Sequence, residues 1–216
     1  MIQTTQHHHL PAVTRCHRAA FPASLASAMG RRYVTYMLSW YLSTDKTFLF
    51  HLEENGLCVG YCGGMIVDGT LPTGSASGMA QYSFRAAVRA FALRPWLAFH
   101  PEVRNKYTFI RKNIKRRLGR RQPPRPATEQ RKLEREPHAG LVVIGVDPAF
   151  QGKGYGSLLL QEFERRALED YGIHTLQLTV RADNEQAIRA YERNGWSRGE
   201  VRGGSGGMGK RVKVKG

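Results

Sequence analysis

The sequence predicts an α/β domain in which a central sheet is flanked by helices. Three observations predict it. Two apolar runs, 47–53 and 58–67, the first of them aromatic and alternating, are joined by a short turn signal and read as a hairpin. The nearly continuous apolar run 139–146 reads as a strand buried on both faces. That run leads directly into the glycine-rich loop 150–156 and then into an amphipathic helix.

The elements follow in order. Leu10, Val13 and His17 recur at helical spacing, so 8–20 reads as a helix broken by Pro22, with His7–His9 as its solvated start. Residues 23–42 are helix-compatible, with Gly30 as an interruption. After the hairpin, 68–78 is rich in Gly, Ser, Thr and Pro and reads as a loop. Two helical stretches follow, 79–93 and 104–118; in the second, Tyr107, Ile110, Ile114 and Leu118 form one apolar stripe. The Pro-rich charged run 119–137 reads as a connection. Beyond the glycine loop, Tyr155, Leu159, Phe163, Ala167 and Tyr171 stand four apart on a helix stopped by Gly172. Residues 176–180 read as a strand. Residues 183–195 read as a short helix capped by Asp183 or Asn184 and ended by Gly195. The tail suggests two strands around a glycine-rich loop.

At 216 residues the chain is long enough for one cored domain with an insertion. No transmembrane run and no signal-peptide pattern is evident, and three cysteines without metal spacing suggest reduced thiols, so the sequence reads as cytoplasmic. The net charge of +16, from 33 Lys+Arg against 17 Asp+Glu, points to an anionic partner. Ten basic residues and no acidic one fall between Arg104 and Arg125, so the excess is local. With no nucleic-acid motif, nucleic acid is disfavoured as the partner. The run 91–99, FALRPWLAF, is apolar and aromatic; with the basic stripe after it, the segment suits a membrane surface as well as a lid on the domain.

A glycine-rich loop opening a helix suits a phosphate. First-turn amides have no intrahelical acceptor, the helix dipole is positive there, and glycines let an anion reach the backbone. Gly152, Gly154 and Gly156 clear the approach, and Lys153 adds a cation at the rim. The nucleotide P-loop does not fit, because Gly154 follows Lys153 where Ser or Thr is needed and Asp147 stands at the earlier glycine position. The dinucleotide fingerprint fails at Leu159 or at Ser157, depending on the register.

Gln151-Gly152-Lys153-Gly154-Tyr155-Gly156 resembles the Gln/Arg-x-x-Gly-x-Gly/Ala motif of the GNAT superfamily of acyl-CoA-dependent N-acyltransferases. The lead-in VDPAFQGKG is similar as well. NEQAIRAYERNGW matches the family's second pattern through Asn184, Ala187, Tyr191 and Gly195, with Trp196 in place of Phe. The match covers about 139–196. It implies one domain, 1–216, with a mixed, mostly antiparallel sheet, helices on both faces and a splay at the acyl-CoA site. Residues 74–137 are then a basic helical insertion.

The resemblance implies direct transfer of acetyl from acetyl-CoA to a primary amine, with no metal. Amides of Gln151, Gly152, Lys153, Gly154, Tyr155, Gly156 and Ser157 would hold the pyrophosphate, and Val146 and Asn184 the pantetheine arm. Tyr191 would protonate the departing thiolate. The family's usual carboxylate is missing from GLVVIGV, which leaves the general base open among Glu53, His51 and His138. The acceptor reads as a small amine, such as an amino sugar or phosphorylated metabolite. The alternatives are a protein lysine or N-terminal amine and, in another class, a non-catalytic CoA- or nucleic-acid-binding protein. Nothing in the sequence bears on oligomeric state.

Overall fold

The computed structural model describes residues 1–68, 75–105, 136–202 and 204–212. Of the helix expected over 104–118, only the first two residues fall within that range. The rest of it, and the connection through residue 135, lie outside the described residues.

Chain order gives β1 (Ile2–Thr4), α1 (Leu10–Ala20), α2 (Leu25–Met29), α3 (Arg31–Ser39), β2 (Thr47–Glu54) and β3 (Leu57–Val67). Then come α4 (Ser75–Tyr82), α5 (Phe84–Leu93), α6 (Pro101–Asn105), β4 (His138–Val146) and α7 (Tyr155–Glu169). The chain closes with β5 (Thr175–Arg181), α8 (Glu185–Arg193), β6 (Ser197–Arg202) and β7 (Ser205–Arg211).

Local chemistry explains the boundaries. Asn55 (φ 50°) and Gly56 (φ 73°) both adopt left-handed backbone, the turn whose twist suits a two-residue hairpin. Gly30 (φ 97°) separates α2 from α3, and the Ser24 side chain caps α2 by accepting from the Ser27 amide. Two expectations are corrected. Helix begins at Ser75, so the loop read over 68–78 is too long. The helix read over 79–93 is divided at Ser83, whose hydroxyl and amide both donate to the Met79 carbonyl, at 2.8 and 2.9 Å. The tail forms the two expected strands, β6 and β7, and Gly206, Gly207 and Gly209 lie within β7, where Ser205–Arg211 pairs residue for residue with Arg181–Thr175 of β5.

The strands form one sheet in the order β1-β2-β3-β4-β5-β7-β6, with β4–β5 its parallel pair among otherwise antiparallel neighbours. Side-chain alternation, offset by a bulge that leaves Val59 extra between Cys58 and Gly60, sends Phe48, Phe50, Val59 and Cys62 to one face, where Leu159, Leu160 and Phe163 of α7 cover them. Leu49, Cys58, Tyr61 and Met65 face the other side, under Val13, Cys16, Val34 and Leu38 of α1 and α3. With both faces covered, β2 and β3 are almost continuously buried. A second helical layer is tied on by Met29, Ala90 and Leu97.

The sheet parts at one place. β4 pairs with β5 only through Ala139–Leu176, Gly140–Gln177 and Leu141–Leu178. Its pairing with β3 continues to Val146, but the register shifts between Gly63–Val143 and Gly64–Leu141, leaving Val142 as an extra residue. Such a bulge bends the strand that carries it. β4 therefore leaves β5 just past Leu141, and the edge of residues 142–146 that would face β5 has no strand partner among the described residues.

Candidate functional site

The parting of β4 and β5 opens a cleft of about 780 Å³. Its walls are Leu141–Val146 on one side and Leu178–Arg181 on the other. The glycine loop and the start of α7 close one end, α8 contributes Ala187, Ala190 and Tyr191, and Ala20 and Phe21 reach in from the end of α1.

Asp147 begins the loop by accepting from the Ala149 amide at 3.0 Å, which turns the chain after β4. Gly152 (φ 80°) and Gly154 (φ 82°) then take left-handed conformations, where a side chain would cost roughly 1–2 kcal/mol. The chain thereby turns back onto α7 with its first-turn amides facing outward. Ser157 and Leu158 donate to the Gly154 carbonyl, whereas the amides of 152–156 have no protein acceptor among the described residues. Gly154 occupies the N-cap and supplies no capping side chain. Five consecutive N–H groups are thus concentrated at the positive end of a fifteen-residue helix.

Most of the residues singled out from the sequence converge here. Val146, Gln151, Gly152, Gly154, Tyr155, Gly156, Ser157, Asn184 and Tyr191 all line the cleft. Lys153 stands at its rim, with its ammonium 5.0 Å from the centre of the Phe150 ring. The Val146 carbonyl accepts from the Gln151 side chain at 3.2 Å, so that oxygen is already engaged. Tyr155 lends the cleft its backbone while its hydroxyl donates to Glu54 at 2.7 Å. Ser157 receives the Asn194 amide at 3.1 Å, and Asn184 caps α8 through the Ala187 amide at 3.2 Å.

Tyr191 is half-buried on the inner face of α8, its ring 6.1 Å from that of Trp196, which is itself buried against Phe163. Burial, reinforced by the neighbouring Cys62, pushes the Tyr191 hydroxyl up to about 12. The phenol therefore keeps its proton throughout the neutral range.

The three base candidates do not reach the cleft. His51 is buried on β2, bonded to the Thr5 hydroxyl at 2.9 Å, with its ring 4.7 Å from that of His9 and tilted to it. Glu53 receives the Gln3 side chain at 3.3 Å, on the side of β2 toward β1. His138 sits where β4 and β5 are still joined, near the Glu136 carbonyl at 3.1 Å. Among the described lining residues there is no Asp, Glu or His, whereas Arg181 and Arg193 are present. The Arg181 guanidinium is paired with Asp183. Sequence pattern does not single out Phe21, Arg181 or Arg193. The break at Phe21-Pro22 is visible in it, but the proximity of Phe21 to β4 depends on how α1 packs. Cys16, Cys58 and Cys62 are all buried free thiols. Among the described residues no group of three His, Cys, Asp or Glu side chains could hold a metal.

Behind the cleft wall, His17 Nδ1 lies 2.6 Å from the Tyr61 hydroxyl, and its ring rests near Phe21. Burial pulls His17 down to about 4. An unfolded histidine, titrating near 6.5, binds its proton first as pH falls. The neutral buried form thus contributes stability above pH 6.5 that is lost between about 6.5 and 4, up to roughly 3 kcal/mol. Urea midpoints at pH 7 and pH 4.5 are expected to differ accordingly. The His17→Leu/Tyr61→Phe double variant, which removes both partners, is expected to flatten that part of the difference.

Comparison with known proteins places this arrangement. The PaiA N-acetyltransferase of Thermoplasma acidophilum, solved in complex with coenzyme A, shares the fold with a TM-score of 0.54 at 12% identity, over 98% of each chain. Residues 120–196 match the model of the acetyltransferase (GNAT) family. Residues 120–196 are thus similar to that family, and the described residues share the mixed α/β fold of this solved structure. The mycothiol acetyltransferase of Mycobacteroides abscessus is 38% identical over 68 residues, 32% of this chain and 23% of that protein. The ribosomal protein bS18-alanine N-acetyltransferase of Salmonella typhimurium is 44% identical over 64 residues, 30% of this chain and 43% of that protein. The match thus spans less than half the length of these curated relatives.

Proposed function

We propose that the protein is an acetyl-CoA-dependent N-acetyltransferase acting on a small primary amine of low basicity. The observation that carries this reading is the convergence on one cleft of five unpaired amides, an unpartnered strand edge and a protonated tyrosine. Amides from Gln151 to Ser157 grip the pyrophosphate, with Lys153 adding charge at the rim. The free edge of β4 up to Val146 offers backbone groups to the pantetheine amides, as a sheet edge does to an added strand. Asn184 lies along the same arm.

The acceptor nitrogen attacks the thioester carbonyl, the C–S bond breaks, and the departing sulfur takes the Tyr191 proton. The acceptor nitrogen releases a proton to solvent, which restores Tyr191 and leaves an acetamide and free CoA thiol. Against a solvated thiol of pKa about 8.5, a tyrosine near 12 donates uphill. The thiolate, however, forms in the same water-poor cleft, where desolvation raises its own proton affinity.

With no carboxylate or imidazole among the described lining residues, the amine has to arrive neutral. At pH 7 roughly a tenth of an α-amine of pKa 7.7–8.0 is neutral, against about 0.04% of a lysine. Arg193 in the wall opposes cationic acceptors further. A phosphorylated or sugar-borne amine fits these conditions. The second reading, a protein N-terminal α-amine, is favoured by the relative named for alanine of ribosomal protein bS18.

Two measurements test the proposal together. Acetyl-CoA at about 100 times its Kd is expected to add roughly 2.7 kcal/mol of stability, raising Tm by about 5–10 °C in a chain of this size. Release of free thiol across an amine panel is expected to rank acceptors by falling pKa. The absence of any Tm shift would remove the cofactor, and with it the enzyme.

A further inference from the structure

We infer that the outer face of α5 and of the turn after it docks onto an anionic lipid surface. Ten large hydrophobic residues are exposed among the described residues, and four of them, Val88, Leu93, Trp96 and Phe99, fall within twelve positions. Leu93, Trp96 and Phe99 are 78%, 62% and 86% exposed, beyond what a packed surface needs. Trp96 and Phe99 stand three apart in a single 3-10 turn, Pro95–Phe99, and so project from the same side.

The turn is a fixed platform. Leu97 on its inner face and Ala90 of α5 are buried against Met29, and the Arg94 guanidinium donates to the carbonyls of Ala28 and Met29. Helical spacing places exposed Arg85 and Arg89 beside Val88 on the outward side of α5. Arg104 is exposed a few residues on. In residues 75–105 the acidic side chain is Glu102, and it is engaged by the Leu25 amide at 3.0 Å. Protruding aromatic and aliphatic groups flanked by arginines, with no competing carboxylate, match the boundary between acyl chains and anionic headgroups. The net charge of +16 adds long-range attraction to such a surface. Other partners fit less well. Nucleic acid would use stacking aromatics along a basic groove, and Val88 and Leu93 give nothing to stack. A second copy related by a two-fold axis would set two equally basic patches, each with Arg85 and Arg89, against one another. No helix among the described residues is long and apolar enough to cross a membrane.

Trp96 is a built-in reporter, because the other two tryptophans, Trp40 and Trp196, are 8% and 2% exposed. The full chain would be mixed with phosphatidylcholine vesicles, with and without roughly one-third phosphatidylserine. With the anionic vesicles, tryptophan emission is expected to shift to the blue. Partitioning is expected to fall at least about tenfold on raising salt from ~0.1 M to ~0.5 M. Leu93→Ser/Phe99→Ser keeps the reporter and is expected to lower partitioning about tenfold with an unchanged Tm, since both side chains face solvent. Absence of vesicle binding would overturn the inference, as would binding that the double variant leaves intact. Loss in the double variant of self-association or of RNA binding, without an effect on vesicles, would assign the face to that partner instead.

Discussion

Tyr191→Phe is expected to lower turnover by about a hundred- to a thousandfold while leaving acetyl-CoA affinity nearly unchanged. The substitution removes one oxygen from a side chain held by α8 and by the ring of Trp196, so the shape of the cleft is retained. What it removes is a proton. With the hydroxyl pushed up to about 12, Tyr191 is protonated at every pH where the fold is secure. The wild-type rate should then show no alkaline decline from this group below about pH 11, and should rise with pH until the acceptor amine is neutral. Single-turnover kinetics would separate the step from product release. An equal loss in a non-catalytic readout, such as Tm, would mean that Tyr191 only packs. Unchanged turnover would take it out of the chemistry.

Gly156→Asp is expected to separate stability from function in opposite directions. Gly156 is the second residue of α7 and has ordinary helical backbone, and a Cβ built there has no heavy atom within 4 Å. Replacing glycine by aspartate in a helix gains only roughly 0.3 kcal/mol in propensity, because aspartate is itself a poor helix former. A carboxylate in the first turn gains roughly a further 0.3–1 kcal/mol against the helix dipole. Tm should therefore hold or rise. The same carboxylate would occupy the unpaired amides and repel a diphosphate, and CoA affinity is expected to fall about a hundredfold by calorimetry. Gly156→Asn, equal in shape but uncharged, should lose much less. If Asp and Asn behave alike, sterics rather than charge governs the loop; if neither weakens binding, the diphosphate lies elsewhere.

Much of this site is legible in the sequence, for a physical reason. The glycine loop and the helix of Tyr191 are local features: a left-handed N-cap at Gly154 and a cap at Asn184 depend on a few adjacent residues, and their spacing is written in the chain. The hairpin at Asn55-Gly56 is legible for the same reason. Other parts depend on distant partners. The glycines of β7 look like loop residues until seven pairs with β5 hold them extended. The three-residue β1 exists because β2 offers it an edge. Glu53, His51 and His138 are plausible bases by type. Their failure to reach the cleft follows from strand order and from where β4 leaves β5, which no window of sequence contains. Arg193 stands two residues beyond Tyr191 and still gives no signal in the sequence, because a helical arginine usually faces water.

The short seam between β4 and β5 has a mechanical consequence. Three residue pairs join the half of the sheet that carries α1 and α3 to the half formed by β5, β7 and β6. Helix α7 spans the divide like an axle, held to the far half through Ser157–Asn194, Phe163–Trp196 and Glu164–Lys210. A molecule lying along β4, with one end on the first turn of α7 and its middle against α8, would fasten the two halves together. Cargo and clasp would then be the same object, and the protein would breathe along that line each time it let go.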